Sequence, residues 1–153
     1  MIYDFQEQLR KGKEAERFLD EYFTKQDFYI EHIRLSDELK LGIDRVFYRH
    51  GMRWTVEYKT DFLADKTGNA FIETKSVDDE KLGWLYTSLS QIIFYYVPGL
   101  KKIYSLDVVI LRKESNNFQE KYPKRSSQNA TYRSEGILVP LTELEKCGKV
   151  LEV

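Results

Sequence analysis

Residues 43–62 read IDRVFYRHGMRWTVEYKTDF, and the fold turns on this stretch. In the second half, Trp54, Val56, Tyr58 and Phe62 alternate with Thr55, Glu57, Lys59 and Asp61. That period of two predicts a strand over Arg53 to Phe62, with one apolar and one ionisable face. The first half, Ile43 to Arg49, predicts a second strand that carries apolar residues on both faces. His50-Gly51-Met52 lies between the two and reads as a tight turn, so the pair forms a hairpin. Asp44 shares parity with Val46 and Tyr48. A carboxylate among residues that prefer burial must be paired, hydrogen-bonded or bound to a metal. The hairpin brings it toward Glu57 and Lys59.

The segments around this hairpin extend the pattern. Phe5, Leu9, Gly12, Glu16, Leu19 and Phe23 recur at helical spacing, widened by Phe18 and Tyr22, and predict a first helix. Glu16 interrupts the apolar stripe and either faces the core or lies at the stripe's edge, reaching solvent or an arginine, while Gly12 leaves room for another backbone. Further strands are expected over Phe28 to Arg34 and, after the turn at Thr67-Gly68-Asn69, over Ala70 to Val77. Tyr86 to Tyr96 reads as a helix stopped by Pro98-Gly99, and Ile103 to Arg112 as a buried central strand. Lys113 to Glu135 is polar, with Pro123 and Ser-Ser-Gln-Asn, and reads as a long, flexible loop. A short strand, Gly136 to Pro140, and a C-terminal helix from Thr142 complete the order. The expectation is one domain over 1–153, of α/β (α+β) class, with a mixed central sheet flanked by helices.

Composition bounds the function. The chain has 153 residues, 42% hydrophobic and 14% aromatic, which suits a packed core rather than disorder. No apolar run approaches the ~18 residues of a membrane span, and Met1 to Arg10 is too charged for a signal peptide. The single cysteine, Cys147, has no intramolecular disulfide partner, and no Cys/His cluster offers a zinc site. A cytoplasmic location is expected. Formal net charge is −1, so no global field draws the chain to nucleic acid. Basic residues nevertheless concentrate after residue 100. Lys121, Lys124, Arg125 and Arg133, interleaved with Phe118, Tyr122 and Tyr132, could track a phosphate backbone, or form a solvated face. His32 and His50 are isolated, and Trp84, Tyr86, Phe94, Tyr95 and Tyr96 read as core. Asn129-Ala130-Thr131 fits a glycosylation sequon without a secretory context.

Two carboxylates and a lysine on adjacent strands suit phosphodiester hydrolysis. Mg²⁺ prefers hard oxygen ligands and keeps several waters, so one or two carboxylates suffice. A neighbouring lysine can stabilise charge developing on phosphate.

Asp44, followed thirteen residues later by Glu57-Tyr58-Lys59 across a turn, resembles the PD-(D/E)xK nuclease core. Gly12-Lys13-Glu14-Ala15-Glu16-Arg17 is similar to the first-helix segment of archaeal Holliday-junction resolvases, where the corresponding Glu completes the site. Gln91-Ile92-Ile93-Phe94-Tyr95 is similar to the QxxxY element of RecB-type nucleases, which serves the site and DNA contact. The resemblance spans about residues 10 to 112 and implies a restriction-endonuclease-like fold. It further implies Mg²⁺ (or Mn²⁺) on Asp44 and Glu57, with Lys59 and Glu16 assisting a DNA-cleaving reaction. Homodimers and a prokaryotic or phage origin are common in that family. Ile43 stands where the family often has proline.

Acidic-x-Lys triplets also begin at Glu38, Glu73 and Asp79. An alternative register therefore stays open, in which Asp61 precedes Glu73-Thr74-Lys75 across the Thr67-Gly68-Asn69 turn. An alternative function also stays open: a nuclease-like scaffold that binds DNA or protein without turnover.

Overall fold

The computed structural model describes residues 5–36, 41–76, 81–128 and 133–153. Helix α1, Phe5–Thr24, is followed by β1 (Tyr29–His32), β2 (Arg45–Arg49) and β3 (Met52–Thr60). β2 and β3 form the expected hairpin, with Arg45 opposite Val56 and Arg49 opposite Met52. Its turn places His50 and Gly51 at φ 53° and 74°. Two successive positive φ values match the twist of a tight hairpin, and glycine at the second relieves the strain.

A short helix α2 (Ala64–Thr67), β4 (Asn69–Ser76), β5 (Lys81–Leu82) and α3 (Trp84–Thr87) then lead to β6 (Ile92–Val97). β6 returns parallel to β3, with Glu57 beside Ile93 and Lys59 beside Tyr95. β7 (Lys102–Asp107), α4 (Val108–Lys121), β8 (Lys124–Gln128), β9 (Arg133–Pro140), α5 (Leu141–Leu144) and β10 (Gly148–Glu152) complete the order.

The strands make two sheets. One has six strands in the order β1-β2-β3-β6-β7-β10, and all its neighbours are antiparallel except β3 and β6. The other has four antiparallel strands, β5-β4-β9-β8. Ala15, Leu19 and Phe23 of α1 pack on one face of the larger sheet, against Phe47, Val56, Tyr58 and Phe94. On its other face, Ile93, Tyr95 and Leu106 meet Ile72 and Ile137 of the smaller sheet and Leu111 and Phe118 of α4. The chain is thus a mixed α+β protein whose central sheet is flanked by helices. No described helix is long and apolar enough to cross a membrane.

Four expectations are corrected. Residues 92–97 form a central strand rather than the end of a helix, because β6 is buried on both faces and its apolar run is continuous. The predicted strand over 103–112 stops at Asp107, whose carboxylate accepts from Ile110 N at 3.1 Å and caps α4. Most of the predicted loop over 113–135 is therefore α4, β8 and the start of β9. The sequon Asn129-Ala130-Thr131 and Tyr132 lie outside the described residues. The C-terminal helix lasts one turn before β10 joins the sheet edge. Gly148 permits this, since a Cβ there would sit 1.8 Å from the Ser105 carbonyl oxygen.

The cap gives a first test. Asp107→Ala is expected to lower stability by about 1 kcal/mol, read as a shift of the urea midpoint with unchanged slope.

Candidate active site

The site begins in the loop before β2. Gly42 adopts φ +63°, and a Cβ there would lie 2.9 Å from Ser88 Cα. The loop after α3 therefore packs directly on it. Ser88 Oγ donates to the Gly42 carbonyl at 2.9 Å, and Leu89 N to the Leu41 carbonyl at 2.8 Å. Arg112 of α4 fastens the same loop from behind, donating to the carbonyls of Leu85 and Ser88.

Held this way, Asp44 N donates to the Val56 carbonyl at 2.8 Å, and Asp44 Oδ2 accepts from Tyr58 N at 2.7 Å. Asp44 thereby sits against β3, close enough for its charge to act on Glu57. Glu57 is buried, with Oε1 3.1 Å from Lys59 Nζ. Its Oε2 is buried with no hydrogen-bond partner among the described residues. Ser88 lies close enough to influence the Glu57 charge, and its Oγ also stands within hydrogen-bond distance of the Gly42 carbonyl at 2.9 Å and of Ser90 Oγ at 2.6 Å. Burial raises the Glu57 pKa, the Lys59 charge and the Ser88 hydroxyl oppose this, and the Asp44 charge adds to it. Lys59 is a third exposed and lies over the Trp84 ring, 5.5 Å from its centroid. Asp44, Glu57 and Lys59 are therefore brought together, and the lysine gives the group an edge on solvent.

Glu16 is not brought to them. It lies on the α1 side of the sheet, with Oε2 3.9 Å from Arg45. Arg45 projects onto that same side, over the Tyr58 ring, whereas Glu57 has the opposite parity on β3. Among the described residues, no group of three or more His, Cys, Asp or Glu is arranged to hold a metal. Nor does another described backbone approach Gly12, since nothing lies within 4 Å of the position of its missing Cβ. Asp20, one turn after Glu16, takes the paired role. Its Oδ1 accepts from Arg45 Nε at 3.1 Å and from the Tyr58 hydroxyl at 2.8 Å. His32 lies beside it, 3.4 Å away.

Gln91 and Tyr95 are strand-associated rather than helical. Gln91 Oε1 accepts from Thr55 N at 2.9 Å and ties the start of β6 to β3. Tyr95 is buried, donates to Asp61 Oδ2 at 2.5 Å and accepts from Phe71 N at 3.1 Å. Burial first, and the Asp61 charge second, push the Tyr95 hydroxyl well above its ordinary pKa. Asp61 is thus committed to structure, since its Oδ1 also accepts from Leu63 N and Ala64 N, both at 2.9 Å. A bulge between Glu73 and Lys75 breaks their common facing, and Lys75 is exposed. The register Asp61/Glu73/Lys75 therefore does not form a cluster like that of Asp44, Glu57 and Lys59.

Lys121 ends α4, and Lys124 and Arg125 lie on β8. All three are exposed, and β8 is the edge strand separated from β4 by β9. Sequence reasoning missed Ser88, Ser90 and Arg112 as supports of the site. The signal was a Ser-Leu-Ser interruption, residues 88–90, within the run read as one helix. The chain matches no family model, no curated protein and no solved structure.

Proposed function

We propose that the protein is a Mg²⁺- (or Mn²⁺-) dependent nuclease of restriction-endonuclease-like PD-(D/E)xK type, acting on DNA through Asp44, Glu57 and Lys59. The observation that carries this reading is the buried Glu57 Oε2, which has no partner among the described residues and lies beside a second carboxylate and an ammonium. An uncompensated buried carboxylate oxygen is costly, and a hard cation is the ligand that would relieve it. The donor set suits Mg²⁺: two carboxylates, from Asp44 and Glu57, leave the remaining positions to water and phosphate oxygens.

A bound Mg²⁺ would supply Lewis acidity toward the phosphoryl group. The chain's own residues do the rest. Lys59, leaning from Glu57 toward solvent, offers ammonium protons to a phosphate oxygen as negative charge develops there. The Ser88 loop, fixed by Gly42 and Arg112, lies beside the buried Glu57 carboxylate. Tyr58 N–H holds the Asp44 carboxylate in place. Basic residues Lys121, Lys124 and Arg125 offer phosphate contacts at a distance from the cleavage point.

Purified protein is expected to cut labelled DNA in Mg²⁺ or Mn²⁺ and not in EDTA. Asp44→Ala should end cutting while circular dichroism stays that of the parent. No metal-dependent cutting on duplex, single-stranded or branched DNA overturns the reading.

A second reading is favoured by the direct Lys59–Glu57 ion pair and by Asp44 accepting from Tyr58 N. Those contacts partly neutralise the set without metal, as in a nuclease-like scaffold that binds DNA without turnover. DNA affinity that falls steeply with salt, with no thermal stabilisation by Mn²⁺, would identify it.

A further inference from the structure

The α1 side of the six-stranded sheet holds a cavity of about 310 Å³, on the opposite face from Glu57 and unconnected with the proposed cleavage chemistry. Its walls include Phe28, Phe47, Trp54 and Phe94, and two cations reach it, Arg49 from β2 and Lys149 from β10. The volume falls at the small end of organic-ligand sites.

Arg49 is the informative residue. One guanidinium nitrogen, Nη1, donates to the Gln26 carbonyl at 3.1 Å, and the guanidinium lies 4.0 Å from the Phe28 ring centroid. Its Nε is buried and has no hydrogen-bond partner among the described residues. Neither Arg49 nor Lys149 forms an ion pair with a described carboxylate. A guanidinium held at the cavity wall by ring stacking, with no described carboxylate paired to it, suits an acid group. The aromatic walls beside it match a flat ring.

We infer that this cavity binds a small organic anion, a planar ring system bearing a carboxylate, phosphate or sulfonate, with the ring against Trp54 and Phe94 and the acid group on Arg49. Lys149 adds positive potential at the opposite strand of the cavity. Two sources share this chemistry, a nucleotide and an aromatic acid.

The probe is 8-anilinonaphthalene-1-sulfonate, with uncharged N-phenyl-1-naphthylamine as control, titrated by fluorescence against the folded full chain. Saturable binding of the sulfonate is expected, weakened about tenfold in Arg49→Gln, with the uncharged dye unaffected. Lys149→Gln, at an exposed position that leaves folding intact, is expected to weaken the sulfonate by a smaller factor. Lys113→Gln on α4 serves as the control, with no change. Displacement by adenosine 5′-monophosphate marks a nucleotide site, and displacement by 2-naphthoate marks an aromatic-acid site. Sulfonate binding of parental strength in both Arg49→Gln and Lys149→Gln overturns the assignment, as does displacement by neither competitor.

Discussion

Exchanging Lys59 for alanine is expected to lower metal-dependent cleavage by about 10²–10³-fold and to move the remaining activity toward higher pH. The rate loss follows from removing the ammonium that stands 3.1 Å from Glu57 and still reaches solvent. The pH change follows from Glu57. Burial and the Asp44 charge push its pKa up, and the Lys59 charge is the strongest opposing influence. Without the lysine, Glu57 holds its proton to higher pH. Only the charged carboxylate can hold a cation, so the acid limb of the rate profile shifts upward. A residue that merely packs against Trp84 would not move that limb. Lys59→Arg retains the charge, so it should leave the limb in place while lowering the rate. A Lys59→Ala protein that cuts at the parental rate, with an unmoved limb, excludes the proposed role.

Much of this arrangement was legible in residues 43–62. Along β3 apolar and ionisable side chains alternate even where Val56, Glu57 and Tyr58 are all buried, so the sequence records which face each one takes. That is why Asp44, Glu57 and Lys59 could be grouped from spacing alone. β6 left no such record. Its odd residues enter one core and its even residues the other, so every position is apolar and the period vanishes. The α4 boundary was hidden differently. Val108-Val109-Ile110-Leu111 continues the apolar run of β7, and only the capping Asp107 marks the change. Glu16 and Asp20 sit one helical turn apart on the same side of α1. Which of them meets Arg45 more closely depends on how α1 sits over β2, a tertiary fact with no local signature. The orphaned Glu57 Oε2 is of the same kind, since it depends on where the Ser88 hydroxyl sends its proton.

Removing the Asp20 carboxylate is expected to be the most damaging single truncation of a polar side chain, costing roughly 3–5 kcal/mol as Asp20→Ala. Arg45 is only 5% exposed, and among the described residues Asp20 is its main charge partner, with contacts at 3.1, 3.2 and 3.4 Å. The same carboxylate accepts from the buried Tyr58 hydroxyl at 2.8 Å. Truncation therefore takes from a buried guanidinium its closest anion among the described residues, and from a phenol its acceptor. Glu16, 3.9 Å from Arg45, supplies partial relief, which favours the lower end of the range. Asp20→Asn keeps a neutral acceptor for Tyr58 and Arg45 and loses the charge, so its penalty should be smaller, and that remaining penalty measures the share of the charge. Urea denaturation of both proteins is the measurement. A loss below about 1 kcal/mol for Asp20→Ala would mean that Glu16 swings in to replace the lost carboxylate. The consequence reaches the proposed active site, because Arg45 Nη1 also donates to the Asp44 carbonyl at 3.0 Å. An arginine released from Asp20 no longer anchors that carbonyl, so DNA cleavage by the folded fraction of Asp20→Ala should fall along with its stability.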